Sequence, residues 1–535
     1  MTIAGDDLDA VELEVARNRL ESIAEEIGTT LIRTAYSPNI TDRRDCSAGV
    51  YDPTGELVAQ AEHIPLHLGL MPTLVRAALD AVGRDQLDDG DVLITNNPYL
   101  GGSHLPDTCV VTPVFAGGAI VAVVANMAHH VDIGGISPGS MATHATEIFQ
   151  EGVRIPPVKL IAGGHTRDDV LALLLANVRT SDKTRGDLMA QVAANRLGVR
   201  RIREVVDDRG ADYLGRAAAA LVAYGERRTR AALANLPDGQ ATFTDVLEHD
   251  GVRPARIEIT ATVDKRADGL TVDLTRCANQ VEGAVNCSSA IAASCVAYVV
   301  KTLADPTLPS NAGLMRPVEV RTRPGSVVAA TFPTPVANGN TQTAQRIVDV
   351  LLGAFERFLP ERVPAASNGS MSILTIGGID PRDGRYFSYV ETYGGGQGAL
   401  PDMAGADAVH THMTNTRNTP CEVIERSYPL RVHRYAVASG TGGAGRHRGG
   451  DGLIRELELT RGTAEAVVAT ARVTRSPWGL AGGGAGGRAA VSLESGAQRH
   501  DLSAMSHVRL ESHDRLVIRT AGGGRYGTPA ARGSA

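Results

Sequence analysis

Between Leu8 and Thr34, apolar residues recur at helical spacing: Val11, Val15, Leu20, Ile23, Ile27 and Leu31. That period predicts a long amphipathic helix. The pattern then shortens. Residues 47–51 and 56–59 read as strands around Asp52-Pro53-Thr54-Gly55, a β-hairpin turn. Residues 71–82 read as a helix, and 91–95, 109–115 and 119–126 as strands, the last two joined at Gly117-Gly118. Residues 168–235 are strongly helical and rich in Ala, Leu and Arg. From Val252 the period returns to two, with Ile257, Ile259, Ala261 and Val263, then Leu270, Val272 and Leu274. Helices are expected over 290–303 and 341–359. From Pro429 the chain becomes short apolar stretches separated by Gly-rich turns, which predicts a β-rich C-terminal region. The expectation is a multidomain α+β (mixed α/β) protein. Residues 1–245 would form an N-terminal α/β domain with a helical extension, 246–428 a central α/β domain, and 429–535 a β-rich domain.

Composition narrows the class. A chain of 535 residues corresponds to roughly three or four domains. Aromatic residues make up 4%, so the core must be built from Ala, Val, Leu and Ile. The 59 glycines predict many tight turns or close backbone approaches. Lys and Arg number 53 against 60 Asp and Glu, a net charge of −7, with no basic block. Such a surface does not gather nucleic acid. The short Arg200-Arg201-Ile202-Arg203 cluster reads as a solvated helix face. The N-terminus is acidic and lacks the apolar core of a signal peptide, and no apolar run approaches the ~20 residues of a membrane helix. Six dispersed cysteines without a CxxC pair read as reduced core thiols. A cytoplasmic protein without membrane or nucleic-acid partners is expected.

Candidate chemistry concentrates in the segment Asn96-Asn97-Pro98-Tyr99-Leu100-Gly101-Gly102-Ser103-His104-Leu105-Pro106-Asp107, a loop between two predicted strands. Pro106 removes an N–H and stiffens the backbone between His104 and Asp107. An imidazole and a carboxylate on such a loop make half of a metal site. Further ligands are available in His129-His130 and in Asp45. Consecutive strand residues point to opposite faces, so only one of the two histidines can share the site. Two imidazoles and two carboxylates suit Zn²⁺, Mn²⁺ or Fe²⁺. Such an ion lowers the pKa of bound water from about 15.7 to about 7, supplying a nucleophile the sequence otherwise lacks. There is no G-x-S-x-G elbow and no G-x-x-x-x-G-K-[ST] phosphate loop. Glu147 and Glu151, four apart, are candidates for general base or for support of the ligands, and His130 is a further catalytic candidate. Gly394-Gly395-Gly396-Gln397-Gly398 would either cradle an anion or simply turn. Residues 410–420, dense in hydrogen-bonding groups, would line a substrate or partner site or form a polar loop. Asn338-Gly339-Asn340 reads as the capped entry to the helix at 341, with substrate contact a lesser role.

Taken together, these segments resemble the hydantoinase B/oxoprolinase family. The likeness runs through Glu14 to Leu20, Tyr36 to Ile40, Ala59-Gln60-Ala61-Glu62-His63-Ile64-Pro65, Tyr99 to Asp107, His129 to Gly135, Gln150 to Pro157, His410 to Pro420 and Pro477 to Gly483. It therefore covers nearly the whole chain. The resemblance implies a metal-dependent B-type subunit holding its ion with Asp45, His104, Asp107 and His129. It implies an A-type partner that binds ATP and phosphorylates the carbonyl oxygen of a cyclic amide or imide, hence a hetero-oligomer. Glu147 or Glu151 would shuttle the proton. Two departures stand out: Asn97 replaces the family's usual Asp, and Cys46 its usual Phe. The resemblance also admits a subunit of an ATP-dependent ketone carboxylase, while a non-catalytic scaffold for the A-type partner is an alternative of another class.

Overall fold

The computed structural model describes residues 8–61, 63–443 and 445–528. The acidic N-terminal residues 1–7 and Glu62 of the 59–65 motif lie outside the described residues. The first helix runs Ala10–Thr34, and the Asp9 carboxylate caps it by accepting from the N–H groups of Val11 and Glu12 at 2.9 and 2.8 Å. Val11 and Val15 stay exposed, and the buried stripe starts at Ala16 and continues through Leu20, Ile23, Ile27 and Leu31.

That stripe covers one face of a seven-stranded antiparallel sheet. Its spatial order is Leu57–Gln60, Cys46–Tyr51, Ala119–His129, Asp107–Ala116, Val92–Thr95, Val158–Ala162 and His165–Thr166. The helices Ser181–Arg209 and Ala211–Ala234 share the covering. The other face receives His67–Val82, which begins a turn earlier than its periodicity suggests. Strand alternation sorts the side chains. Val124 and Ala128 join the cluster with the first helix, whereas Val123, Ala125 and Met127 join the cluster under His67–Val82.

From His67–Val82 the packing continues through Ser289–Ala304 and Ala344–Phe355 to a four-stranded sheet ordered Val318–Arg321, Gly269–Asp273, Pro254–Arg266 and Gly239–His249. One apolar cluster joins Leu74, Val296, Leu351 and Ile259 across these layers. The helix expected from 341 begins instead at Ala344, because Gly339–Thr343 forms a wider π turn ahead of it.

The rest of the chain forms two more sheets. One orders Tyr386–Glu391, Ile373–Ile379, Ala464–Ala469 and Met505–Leu510; the other Leu430–Ala438, Gly452–Leu459, Arg515–Arg519, Ala490–Ser495 and Gln498–Leu502. Leu374, Ile376 and Val468 of the first meet Leu457, Leu516 and Ile518 of the second. The Gly-rich segments pack here, backbone on backbone. A Cβ on Gly396 would lie 2.0 Å from the Gly450 oxygen, and one on Gly523 1.9 Å from the Gln397 oxygen. Their N–H groups are engaged: Gly396 donates to Ala521 and Gly398 to Ser367. Close approach, not an anion cradle, accounts for residues 394–398. All six cysteines are unpaired, five of them buried. Among the described residues, no helix is long and apolar enough to cross a membrane.

Candidate metal centre

Three strand ends deliver the site. The strand Ala119–His129 runs antiparallel to both neighbours, so its last residue meets the first residues of each. His129 pairs directly with Asp107, and Ala128 with Cys46, which places Asp45 at the same end. Directly opposed residues share a face, here the face under His67–Val82. His104 reaches the same point by a turn closed by the Asp107 N–H on the His104 oxygen at 3.2 Å.

His104, Asp107 and His129 each offer a ligand atom within 4.8 Å of the others, and all three are buried. His104 Nε2 lies 3.3 Å from Asp107 Oδ2, and the two imidazole rings meet edge-on with centroids 5.0 Å apart. Asp45 lines the same cavity but is drawn toward Arg43, whose Nη2 is 3.6 Å from its Oδ2. Burial lowers the His104 pKa, but the Asp107 carboxylate outweighs it and the net shift is upward. Burial would raise Asp107, yet His104 and His67 hold it well below the usual range. Burial drives His129 down to about 4, leaving it neutral and fit to ligate.

The donor set fits a divalent cation. His104 Nδ1 lies 3.2 Å from the Ala337 carbonyl, which can only accept, so Nδ1 carries a hydrogen and Nε2 faces the site. Asn340, buried beside it with Nδ2 at 3.3 Å from that Nε2, leaves its Oδ1 without a partner among the described residues. His67 and Ser103 both reach Asp107 Oδ2, His67 at 3.7 Å. A cation at these atoms would take over the role of the proton on His104 Nε2.

The other candidates lie elsewhere. Strand alternation turns His130 to the opposite face, where its Nε2 lies 2.9 Å from Gln191 Oε1 on Ser181–Arg209. Glu147 is exposed. It is separated from Glu151 by a single 3₁₀ turn, Ile148–Gln150, so the two carboxylates share no helix face. Glu151 is fully buried behind the cavity and accepts from Val336 and Ala337 N–H at 2.7 and 2.8 Å. It therefore holds by its N–H the residue, Ala337, whose carbonyl orients His104. Asn97 caps the short turn Pro98–Leu100 and is not among the cavity's lining residues. Of residues 410–420, Met413, Thr414 and Thr416 line the cavity, while His412 turns to Asp349 at 3.4 Å. Sequence reasoning missed His67, which lines the cavity and has its Nδ1 2.9 Å from Ser47 Oγ. Its one signal was a histidine two residues past the 59–65 motif.

Burial pushes the Glu151 carboxyl up to about 8, only partly offset by the Ala337 and Val336 N–H groups. Between about pH 4.3 and 8 the native state keeps a proton that the unfolded chain releases, so this group's contribution falls as pH rises. Glu151→Gln is expected to flatten the decline of Tm with pH over that window. An unchanged slope in thermal unfolding from pH 5 to 8 would contradict the buried neutral carboxyl.

Fold and site together define a multidomain α+β protein whose main sheet ends in a buried His/His/Asp cluster suited to a divalent ion. The family model for hydantoinase B/oxoprolinase matches residues 9–529, and the chain belongs to that family. An uncharacterized protein of Methanocaldococcus jannaschii is 36% identical, over 98% of this chain and 92% of its own. 5-Oxoprolinase 1 of Arabidopsis thaliana is also 36% identical over 97% of this chain, which spans only 42% of the plant enzyme. The crystal structure of the ATP-dependent caprolactamase from Pseudomonas jessenii superposes with a TM-score of 0.91 at 31% identity, covering 98% of this chain and 92% of that one.

Proposed function

We propose that this chain is the metal-dependent B-type subunit of an ATP-dependent hydrolase that opens a cyclic amide or imide. The ring would be a hydantoin, 5-oxoproline or a lactam, its carbonyl oxygen phosphorylated by an A-type partner. The observation that carries the reading is the convergence of His104, Asp107 and His129 in one buried cavity. The similarity to a caprolactamase and a 5-oxoprolinase supports the substrate class. The absence of a P-loop motif supports placing ATP on another chain.

Resonance deactivates an amide carbonyl toward water, and phosphorylation turns the oxygen into a leaving group. His104, Asp107 and His129, with Asp45 beside them, would hold a Zn²⁺, Mn²⁺ or Fe²⁺ ion, which would supply Lewis acidity and lower the pKa of water toward neutrality. The chain's own residues arrange the rest. Ser103 and His67 hold the Asp107 carboxylate in place. Ala337, clamped by Glu151, fixes the ring of His104. Arg43 places a cation near Asp45, where it would steady negative charge developing on the substrate. Met371, Ile373 and Met413 exclude bulk solvent.

The test is ATP turnover by the chain alone and with its A-type partner, against 5-oxoproline, hydantoins, lactams and acetone. The isolated chain is expected to hydrolyse no ATP, and the pair to couple ATP hydrolysis to ring opening. ATPase activity in the pure single chain would break the two-subunit scheme. Carboxylation of acetone without ring opening would replace the hydrolase reading with a carboxylase.

A further inference from the structure

The cavity at the metal centre measures about 30 Å³. A water needs roughly 10–15 Å³, so this space admits two or three waters and no organic ring. Beside it opens a chamber of about 270 Å³, close to the lower end of small-molecule sites at roughly 300 Å³. Two chain segments separate the two spaces. Along residues 64–68, Leu66 and His67 line the inner cavity, Pro65 and Leu68 the outer chamber, and Ile64 both. Along residues 413–416, Met413, Thr414 and Thr416 face inward, while Asn415 lines the chamber and donates from Nδ2 to the His63 carbonyl. The partition is one side chain thick.

We propose that this outer chamber binds the body of the substrate ring, with Ile64 as the threshold to the metal centre. The proposal rests on the cyclic-amide reading above and names where such a ring sits. Ile64, Pro65, Leu68 and the Tyr298 ring offer apolar surface for ring carbons. Gln60, only 6% exposed, also lines the chamber, and its Oε1 has no hydrogen-bond partner among the described residues. An unpaired buried acceptor is costly unless a donor arrives, and the N–H of a cyclic amide or imide is such a donor. The class of ligand is therefore a compact ring, apolar on its carbon side, with an N–H to donate. Ring size is read by Leu68 and Tyr298, on the facing helices His67–Val82 and Ser289–Ala304.

Leu68→Trp and Thr302→Trp fill the chamber from those two helices, and Thr302 is exposed, so its replacement leaves the core untouched. The probes are ε-caprolactam, 2-pyrrolidinone and hydantoin. Their binding to the full chain is followed by saturation-transfer NMR, and their KM is measured with the A-type partner present. In both variants ring binding is expected to be lost and KM to rise about tenfold or more, with metal content unchanged. Ile64→Ala is expected to shift preference toward the larger lactam with metal content intact. Wild-type affinity and KM in both tryptophan variants, or no ring binding to the wild-type chain, would overturn the assignment. Rings that bind in the chamber but are never opened would remove the hydrolase reading and leave the chamber standing. Rings that are opened with unchanged KM in both tryptophan variants would do the reverse.

Discussion

Replacing His104 by Ala, or Asp107 by Asn, is expected to cut turnover of the two-subunit enzyme by more than about 100-fold and to strip it of divalent metal. Asp107 Oδ2 is the hub of the cluster, within reach of His104, His67 and Ser103. Asn keeps the shape but removes the charge that pairs with a cation. His104 supplies the one ring nitrogen whose orientation is fixed from behind by Ala337. Neither side chain contributes to the apolar clusters, so cooperative unfolding should persist. His130→Gln is the matched control, since that ring sits on the far face against Gln191. The measurements are elemental analysis of the purified protein, kcat with the A-type partner, and thermal unfolding by circular dichroism. Full activity and full metal content in either His104→Ala or Asp107→Asn would remove the metal mechanism.

Arg472→Ala should cost about 3–5 kcal/mol of stability. Arg472 is buried, and its Nη2 donates to Asp245 Oδ2 at 2.9 Å and Asp349 Oδ2 at 2.8 Å. Burial would raise the Asp245 pKa, but Arg346 and Arg472 bring it down to about 2. Removing one guanidinium leaves buried Asp349 with the charge of Arg346 nearby and the His412 contact at 3.4 Å but without its hydrogen bond to Arg472, and Asp245 with Arg346 at 3.4 Å. This knot ties the strand Gly239–His249 to the helix Ala344–Phe355 and to the segment after Ala464–Ala469. The loss is read as a lowered midpoint in urea with an unchanged m value. A shift below about 1 kcal/mol, the range of a surface pair, would show that the knot is solvated.

Much of the local structure was legible. Periodicity alone located the helix Ala10–Thr34, the hairpin Cys46–Tyr51 to Leu57–Gln60 and the pair Asp107–Ala116 and Ala119–His129, because one buried face imposes its period on the residues. The His-x-x-Asp loop and the following strand supplied His104, Asp107 and His129 as candidates, and those are the side chains brought within 4.8 Å. What alternation could say was that His129 and His130 diverge. It could not say which of them faces the site, since that depends on which helix covers which face. The two glutamates show the opposite limit. Spacing put Glu147 and Glu151 together, but a 3₁₀ turn sends one to solvent and the other behind the cavity.

By itself the sequence determined the elements, the absence of a basic surface, and the residue types able to ligate a metal, because these follow from side-chain chemistry and short-range spacing. Only the tertiary structure decided that residues 45, 104, 107 and 129 lie at one end of one sheet, that His67 joins them, and that Asn340 closes the cavity from more than 200 positions away. Those facts depend on antiparallel register and on the packing of His67–Val82 against Ser289–Ala304. Register and layer order are set by the sum of many weak long-range contacts, and no single segment carries that sum.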